Sequence, residues 1–159
     1  MTLLAGCIIF AVLGVTFGQI VEPTVAFTAV LDKNLVLENG DTLIPNKILI
    51  NYGGGYNDKT GIFTAPKSGI YHLGVHAQTS LQSNLWLALY HNDNYVFSIY
   101  GRQTEYSDGG ANAAILPLKK GDKVHVKARD KSSLLGRPDN IYTTFTGFRL
   151  GPLREDDSE

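Results

Sequence analysis

Lys123-Val124-His125-Val126-Lys127-Ala128-Arg129-Asp130 alternates between polar and apolar side chains at nearly every step. A period of two belongs to an extended strand, whose successive side chains point to opposite faces. Val124, Val126 and Ala128 therefore share a dry face, and Lys123, His125, Lys127 and Arg129 share a basic, wet one. Short runs of related character recur on both sides, at 24–31, 47–52, 61–64, 70–78, 85–91, 95–100, 111–118 and 142–150. Between them lie turn-forming residues such as Asn39-Gly40-Asp41, Gly53-Gly54-Gly55, Pro66-Lys67-Ser68-Gly69, Asn92-Asp93-Asn94, Gly109-Gly110 and Lys120-Gly121-Asp122. No long stretch keeps a helical period, so the pattern predicts an all-β sandwich or barrel.

Two runs depart from simple alternation. Leu85-Trp86-Leu87-Ala88-Leu89-Tyr90 is apolar on both parities, and Phe145 and Phe148 point to opposite faces of their strand. An antiparallel strand that is apolar on both sides needs a cover beyond its own sandwich, and self-association is the most economical one.

Composition narrows the class further. With 159 residues, 43% of them apolar, the chain is long and apolar enough for one domain with a proper core. Fourteen Lys and Arg against 15 Asp and Glu give a net charge of −1, which removes the electrostatic reason to expect duplex nucleic acid as the main partner. Residues 3–15 are almost continuously apolar and uncharged, too few to span a bilayer comfortably, and they run into Thr16-Phe17-Gly18. Small residues at positions −3 and −1 of a cut before Gln19 are how a secretory signal peptide ends. Residues 1–18 are accordingly expected to be a signal peptide and the protein to be extracellular, with no membrane insertion; a buried first strand is the alternative. Cys7 would leave with that segment, and the remainder has no cysteine for a disulfide, a thiolate metal site or a thiol nucleophile. No Asn-x-Ser/Thr sequon follows residue 18. Residues 151–159 read as an acidic tail, which leaves 19–150 as the globular domain.

The ordered motifs resemble those of the complement C1q globular-head family, within the tumour necrosis factor-like jelly rolls. Val25-Ala26-Phe27-Thr28-Ala29-Val30-Leu31 is similar to that family's opening strand. Gly55-Tyr56-Asn57, Thr60-Gly61-Ile62-Phe63-Thr64-Ala65-Pro66 and Gly69-Ile70-Tyr71 resemble its central signature. Leu85-Trp86-Leu87-Ala88-Leu89, Gly121-Asp122-Lys123-Val124 and Phe145-Thr146-Gly147-Phe148-Arg149-Leu150 follow in the family's order. Leu73 and Ile48-Leu49-Ile50 depart from the usual aromatic pattern but remain apolar. The resemblance implies a ten-stranded jelly-roll β-sandwich that assembles as a homotrimer. With almost nothing between the expected signal peptide and the first strand, it implies the secreted, head-only type without a collagen-like stalk. Such members are described as pattern-recognition lectins of innate immunity. The expected function is recognition of microbial or anionic glycans, with sialic acid or lipopolysaccharide-like ligands. The alternative is a protein-ligand or scaffold role toward a protein receptor.

The basic stripe of Lys123, His125, Lys127 and Arg129, flanked by Lys119, Lys120 and Lys131, suits carboxylate or phosphate ligands. A half-exposed strand also needs a polar outer face, so the same residues fit a solvated surface. A second candidate surface joins 102–108 with 134–140, where Tyr106 and Tyr142 could stack on a sugar while Arg137 and Asp139 bond its hydroxyls. Some trimers of the family bind calcium through an acid at the position Asp122 matches, near the threefold axis, although Gly-Asp is also an everyday turn pair. His72 and His76 lie about 13 Å apart along one strand face, at roughly 3.3 Å per residue, too far for close chelation. No Gly-x-Ser-x-Gly elbow or His-Glu-x-x-His helix occurs, which argues against catalysis.

Overall fold

The computed structural model describes residues 24–80, 82–102 and 108–153. Over these residues the chain is all-β, with strands β1 (Ala26–Val30), β2 (Leu35–Leu37), β3 (Lys47–Tyr52), β4 (Tyr56–Asn57), β5 (Ile62–Thr64) and β6 (Gly69–Gln78). They are followed by β7 (Leu85–His91), β8 (Asn94–Gly101), β9 (Gly109–Leu118), β10 (Lys123–Ala128), β11 (Ser132–Leu134) and β12 (Thr144–Gly151). Two five-stranded sheets, ordered β3-β1-β12-β6-β9 and β4-β5-β10-β7-β8, form the expected ten-stranded sandwich. The short ribbon β11-β2 is additional. All ladders are antiparallel.

The alternating runs fill the space between the sheets. Phe27, Tyr71, Leu73 and Phe145 from the first sheet meet Tyr56, Phe63, Leu87, Leu89, Val124 and Val126 from the second, all buried. Phe27 is the hub: its ring stacks on Phe63 at 4.6 Å and on Tyr56 at 5.2 Å, and meets Phe145 edge-on at 4.9 Å. Offset and edge-to-face pairs of this kind add about 0.5–1.5 kcal/mol each beyond their buried area. Burial pushes the Tyr56 phenol well above its ordinary value, with the Asp58 charge adding to the effect, while its hydroxyl donates to the Pro45 carbonyl at 2.9 Å. Its buried polar end is thus satisfied.

Glycines permit two close approaches that the core requires. Gly61 adopts φ +71° with the Leu43 carbonyl directly against it, so a side chain would be both strained and obstructed. At Gly147 an added Cβ would lie 2.6 Å from the Phe27 ring and 2.7 Å from Leu73. The glycine lets β12 pass over the aromatic cluster.

The sandwich has two outer faces of different chemistry. On the first sheet, the register aligns Tyr52, Ala26, Phe148, His72 and Ile115 in one row across all five strands. Tyr52 is 61% exposed, Phe148 41% and Ile115 62%, which makes the row an apolar band open to the surroundings. Beside it, Gly74, Ala111, Ala113, Thr144 and Thr146, together with His76 and Asn112, line a shallow hollow. The opposition of Phe145 and Phe148 is as the sequence indicates: Phe145 is fully buried and Phe148 lies in the band.

Candidate functional site

The basic stripe lies on the outer face of the second sheet. Because Val124, Val126 and Ala128 are buried in the core, alternation turns His125, Lys127 and Arg129 outward. Strand pairing then decides their neighbours. His125 stands opposite Tyr90 and Lys127 opposite Ala88 in β7, and the Arg129 N–H donates to the Trp86 carbonyl at 2.7 Å. One strand further on, Tyr90 pairs with Tyr95, Ala88 with Ser98 and Trp86 with Tyr100. The cations therefore sit along an aromatic lane that the sequence reading did not connect to them.

Contacts on this face are specific. The Arg129 guanidinium lies 5.8 Å from the Trp86 ring centroid, and its Nη1 donates to the Tyr90 hydroxyl at 2.8 Å. The Lys127 ammonium lies 5.9 Å from the Tyr90 ring centroid, and the His125 imidazole stacks on that ring at 5.7 Å. Trp86 meets Tyr100 edge-on at 5.9 Å. Arg129 thus reaches from the Trp86 row toward the Tyr90 row, over a floor where Ala88 is only 1% exposed. Cation–π contacts at such surfaces contribute about 0.5–1 kcal/mol and, more importantly here, restrict the cation's orientation. Burial lowers the His125 pKa from its ordinary value, the Lys127 charge lowers it further and Asp93 opposes both. Its Nδ1 is buried without a hydrogen-bond partner.

The other members of the stripe are placed differently. Lys123 is exposed, opposite Thr64, and its backbone N–H donates to the Asn92 side chain. Lys131 pairs with Glu38 at 2.8 Å, and that hydrogen bond, with the Glu38 charge, holds its ammonium above the ordinary lysine range.

The two halves of the second candidate surface meet at Thr79, whose N–H donates to the Asp108 carbonyl at 2.7 Å and which bridges to Leu134. Tyr106 lies outside the described residues. Arg137 and Asp139 pair with each other at 3.3 Å and are both exposed. Tyr142 is tied to the opposite sheet, its carbonyl accepting from His76 Nδ1 at 2.8 Å. His72 stacks on Phe148 at 5.0 Å, which places both histidines on the first sheet's outer side.

Asp122 serves its turn. Oδ2 accepts from the Lys119 N–H at 2.9 Å and from His91 Nε2 at 2.8 Å, and Oδ1 accepts from Asn92 Nδ2 at 3.2 Å. Burial raises its pKa, but the Lys119, His91 and Asn92 hydrogen bonds and the His91 charge outweigh that, so the net shift is downward. A calcium site at a threefold axis would draw one such carboxylate from each of three subunits. Among the described residues, no three His, Cys, Asp or Glu side chains gather where they could hold a metal.

The two-sheet sandwich thus carries an apolar band on one outer face and a cation-aromatic lane on the other. Residues 26–150 match the C1q domain family, and the chain belongs to it. It is 33% identical over 131 residues to complement C1q tumor necrosis factor-related protein 3 of Mus musculus, covering 81% of this chain and 52% of that protein. It is 28% identical over 133 residues to the Mus musculus collagen alpha-1(X) chain, covering 82% of this chain and 19% of that protein. The chain thus spans about half or less of these relatives. Among solved structures, the globular domain of zebrafish complement 1qA superposes with a TM-score of 0.68 at 23% identity, covering 83% of this chain and all (100%) of that one. Eiger TNF from S. frugiperda gives a TM-score of 0.68 at 14% identity, covering 86% and 99%. Both confirm the fold. Among the described residues, no helix is long and apolar enough to cross a membrane.

Proposed function

We propose that this chain is a secreted pattern-recognition lectin that assembles as a homotrimer and binds anionic glycans, such as those of microbial surfaces, through the outer face of the β4-β5-β10-β7-β8 sheet. The observation that carries this reading is the lining of that face: Lys127 and Arg129 lie against Tyr90 and Trp86, with Tyr95 and Tyr100 alongside. Aromatic rings beside a few placed polar groups are what a sugar-binding surface needs, and the cations select acidic sugars. The exposed apolar band on the opposite sheet supports self-association there, leaving the lane free on each subunit. Three linked weak sites would raise avidity on a repetitive surface by about 10² to 10⁴.

A second reading, binding of a protein receptor, is favoured by the same Trp, Tyr and Arg content, because these residues are also typical anchors of protein interfaces. One experiment separates the two: purified secreted protein is applied to a panel of neutral, sialylated and uronate-containing glycans and lipopolysaccharide, with calcium and with chelator. Binding that is selective for acidic members and competed by soluble sugar supports the lectin reading. Loss of binding with chelator supports calcium at Asp122 as part of recognition, and unchanged binding removes it. Silence across the panel from a folded trimer overturns the lectin reading in favour of a protein partner.

A further inference from the structure

We infer that Arg129, framed by Trp86 and Tyr90, is the anchor of a compact subsite for one carboxylate-bearing sugar residue, with Lys127 as its second cation and Tyr100 as a stacking wall. This rests on the glycan-binding reading of the outer face and narrows it from a diffuse basic stripe to one built position. Arg129, just past the end of β10, differs from the other cations of the stripe in being held at two points, through its ring contact with Trp86 and its hydrogen bond to the Tyr90 hydroxyl. That bond occupies one guanidinium N–H, and the exposed side chain keeps others of the planar fork available. Such a fork matches a carboxylate in bidentate fashion, and its restriction beforehand lowers the ordering cost of binding.

The surroundings fit a sugar better than a bare anion. Trp86 is 37% exposed and Tyr100 58%, and their edge-on pairing presents ring surface beside the guanidinium. A pyranose carrying a carboxylate has an anionic group next to a C–H face, so both of its sides find a partner here. Across the Arg129–Tyr90 bond, Lys127 supplies a second positive charge over the Tyr90 ring. Lys123, by contrast, lies six residues from Arg129 on the strand, about 20 Å away at the usual rise, and serves the field around the site more than the site itself.

Trp86 is the chain's one tryptophan, so its fluorescence reports on this position alone. The test titrates the intact protein with sodium glucuronate, with glucose as the neutral control and inorganic phosphate as the competing anion. Saturable change with glucuronate and none with glucose is expected. Arg129→Gln should weaken the response at least tenfold, and Arg129→Lys nearly as much although it keeps the charge. Lys123→Gln should leave it within twofold. The subsite is overturned if Arg129→Gln binds glucuronate like the parent, if Lys123→Gln costs as much as Arg129→Gln, or if phosphate displaces glucuronate at equal concentration. Acidic-glycan binding on the panel that survives Arg129→Gln removes the subsite and leaves the lectin reading intact; panel silence in the parent protein removes both.

Discussion

His125 shows how one side chain joins strand alternation to solution behaviour. Its position in β10 turns it outward, yet burial of its ring and the nearness of Lys127 make protonation unfavourable, and only Asp93 favours it. The folded-state pKa is therefore below the ordinary value of 6.5. A depressed histidine binds its proton more weakly folded than unfolded, so its contribution to stability is full above about pH 6.5 and is lost as pH falls through the lower folded value. The thermal midpoint of the parent should fall more between pH 7.5 and pH 5 than that of His125→Asn, measured in parallel melts. Equal slopes would show that His125 carries no such linkage. The outward parity of His125, Lys127 and Arg129 was legible in the sequence because it depends only on the period of two. Their neighbours Tyr90 and Trp86 were not, because pairing of β10 with β7 joins segments more than 30 residues apart and no local pattern specifies it.

At the scale of elements, β12 illustrates what holds the two sheets together. Phe145 enters the core, Gly147 lets Phe27 and Leu73 close against the backbone, and Phe148 turns outward. Gly147→Ala should destabilise the fold by about 1–3 kcal/mol through overpacking and lower the thermal midpoint by several degrees. An unchanged midpoint would mean that Phe27 moves aside without cost. The longer strands were readable from alternation and turn residues, whereas β2, β4 and β11 were missed because two or three residues are too few to show a period. The outer side of β7 has neighbours that its sequence does not specify: Arg129 lies against Trp86 and Tyr90 and Lys127 stands opposite Ala88, while Trp86 stays 37% exposed.

For the molecule as a whole, that band is the test of assembly. Phe148→Glu places a charge in the middle of the row Tyr52–Ala26–Phe148–His72–Ile115 and should convert a trimer into monomers by light scattering on a sizing column. Glucuronate affinity per subunit should persist, while adhesion to a multivalent glycan surface should fall by about 10² or more. A trimer that survives this substitution would place the interface elsewhere. The family was legible in the spacing of the signature residues because those residues are the core: Phe27, Tyr56, Phe63, Tyr71 and Phe145 touch one another in chains of ring contacts. The ligand was less legible, since recognition depends on surface residues brought together by register alone.

The apolar band and the cation lane are back to back, separated by the core between two sheets that pack about 10 Å apart. Substitutions on surfaces that far apart, with no shared partners, combine almost additively. Selection acting on what the lane recognises would then meet no veto from what the band must hold together. Chains that differ only in their lanes would still fit into one particle, and a single gene duplication would be enough to make heads with mixed taste.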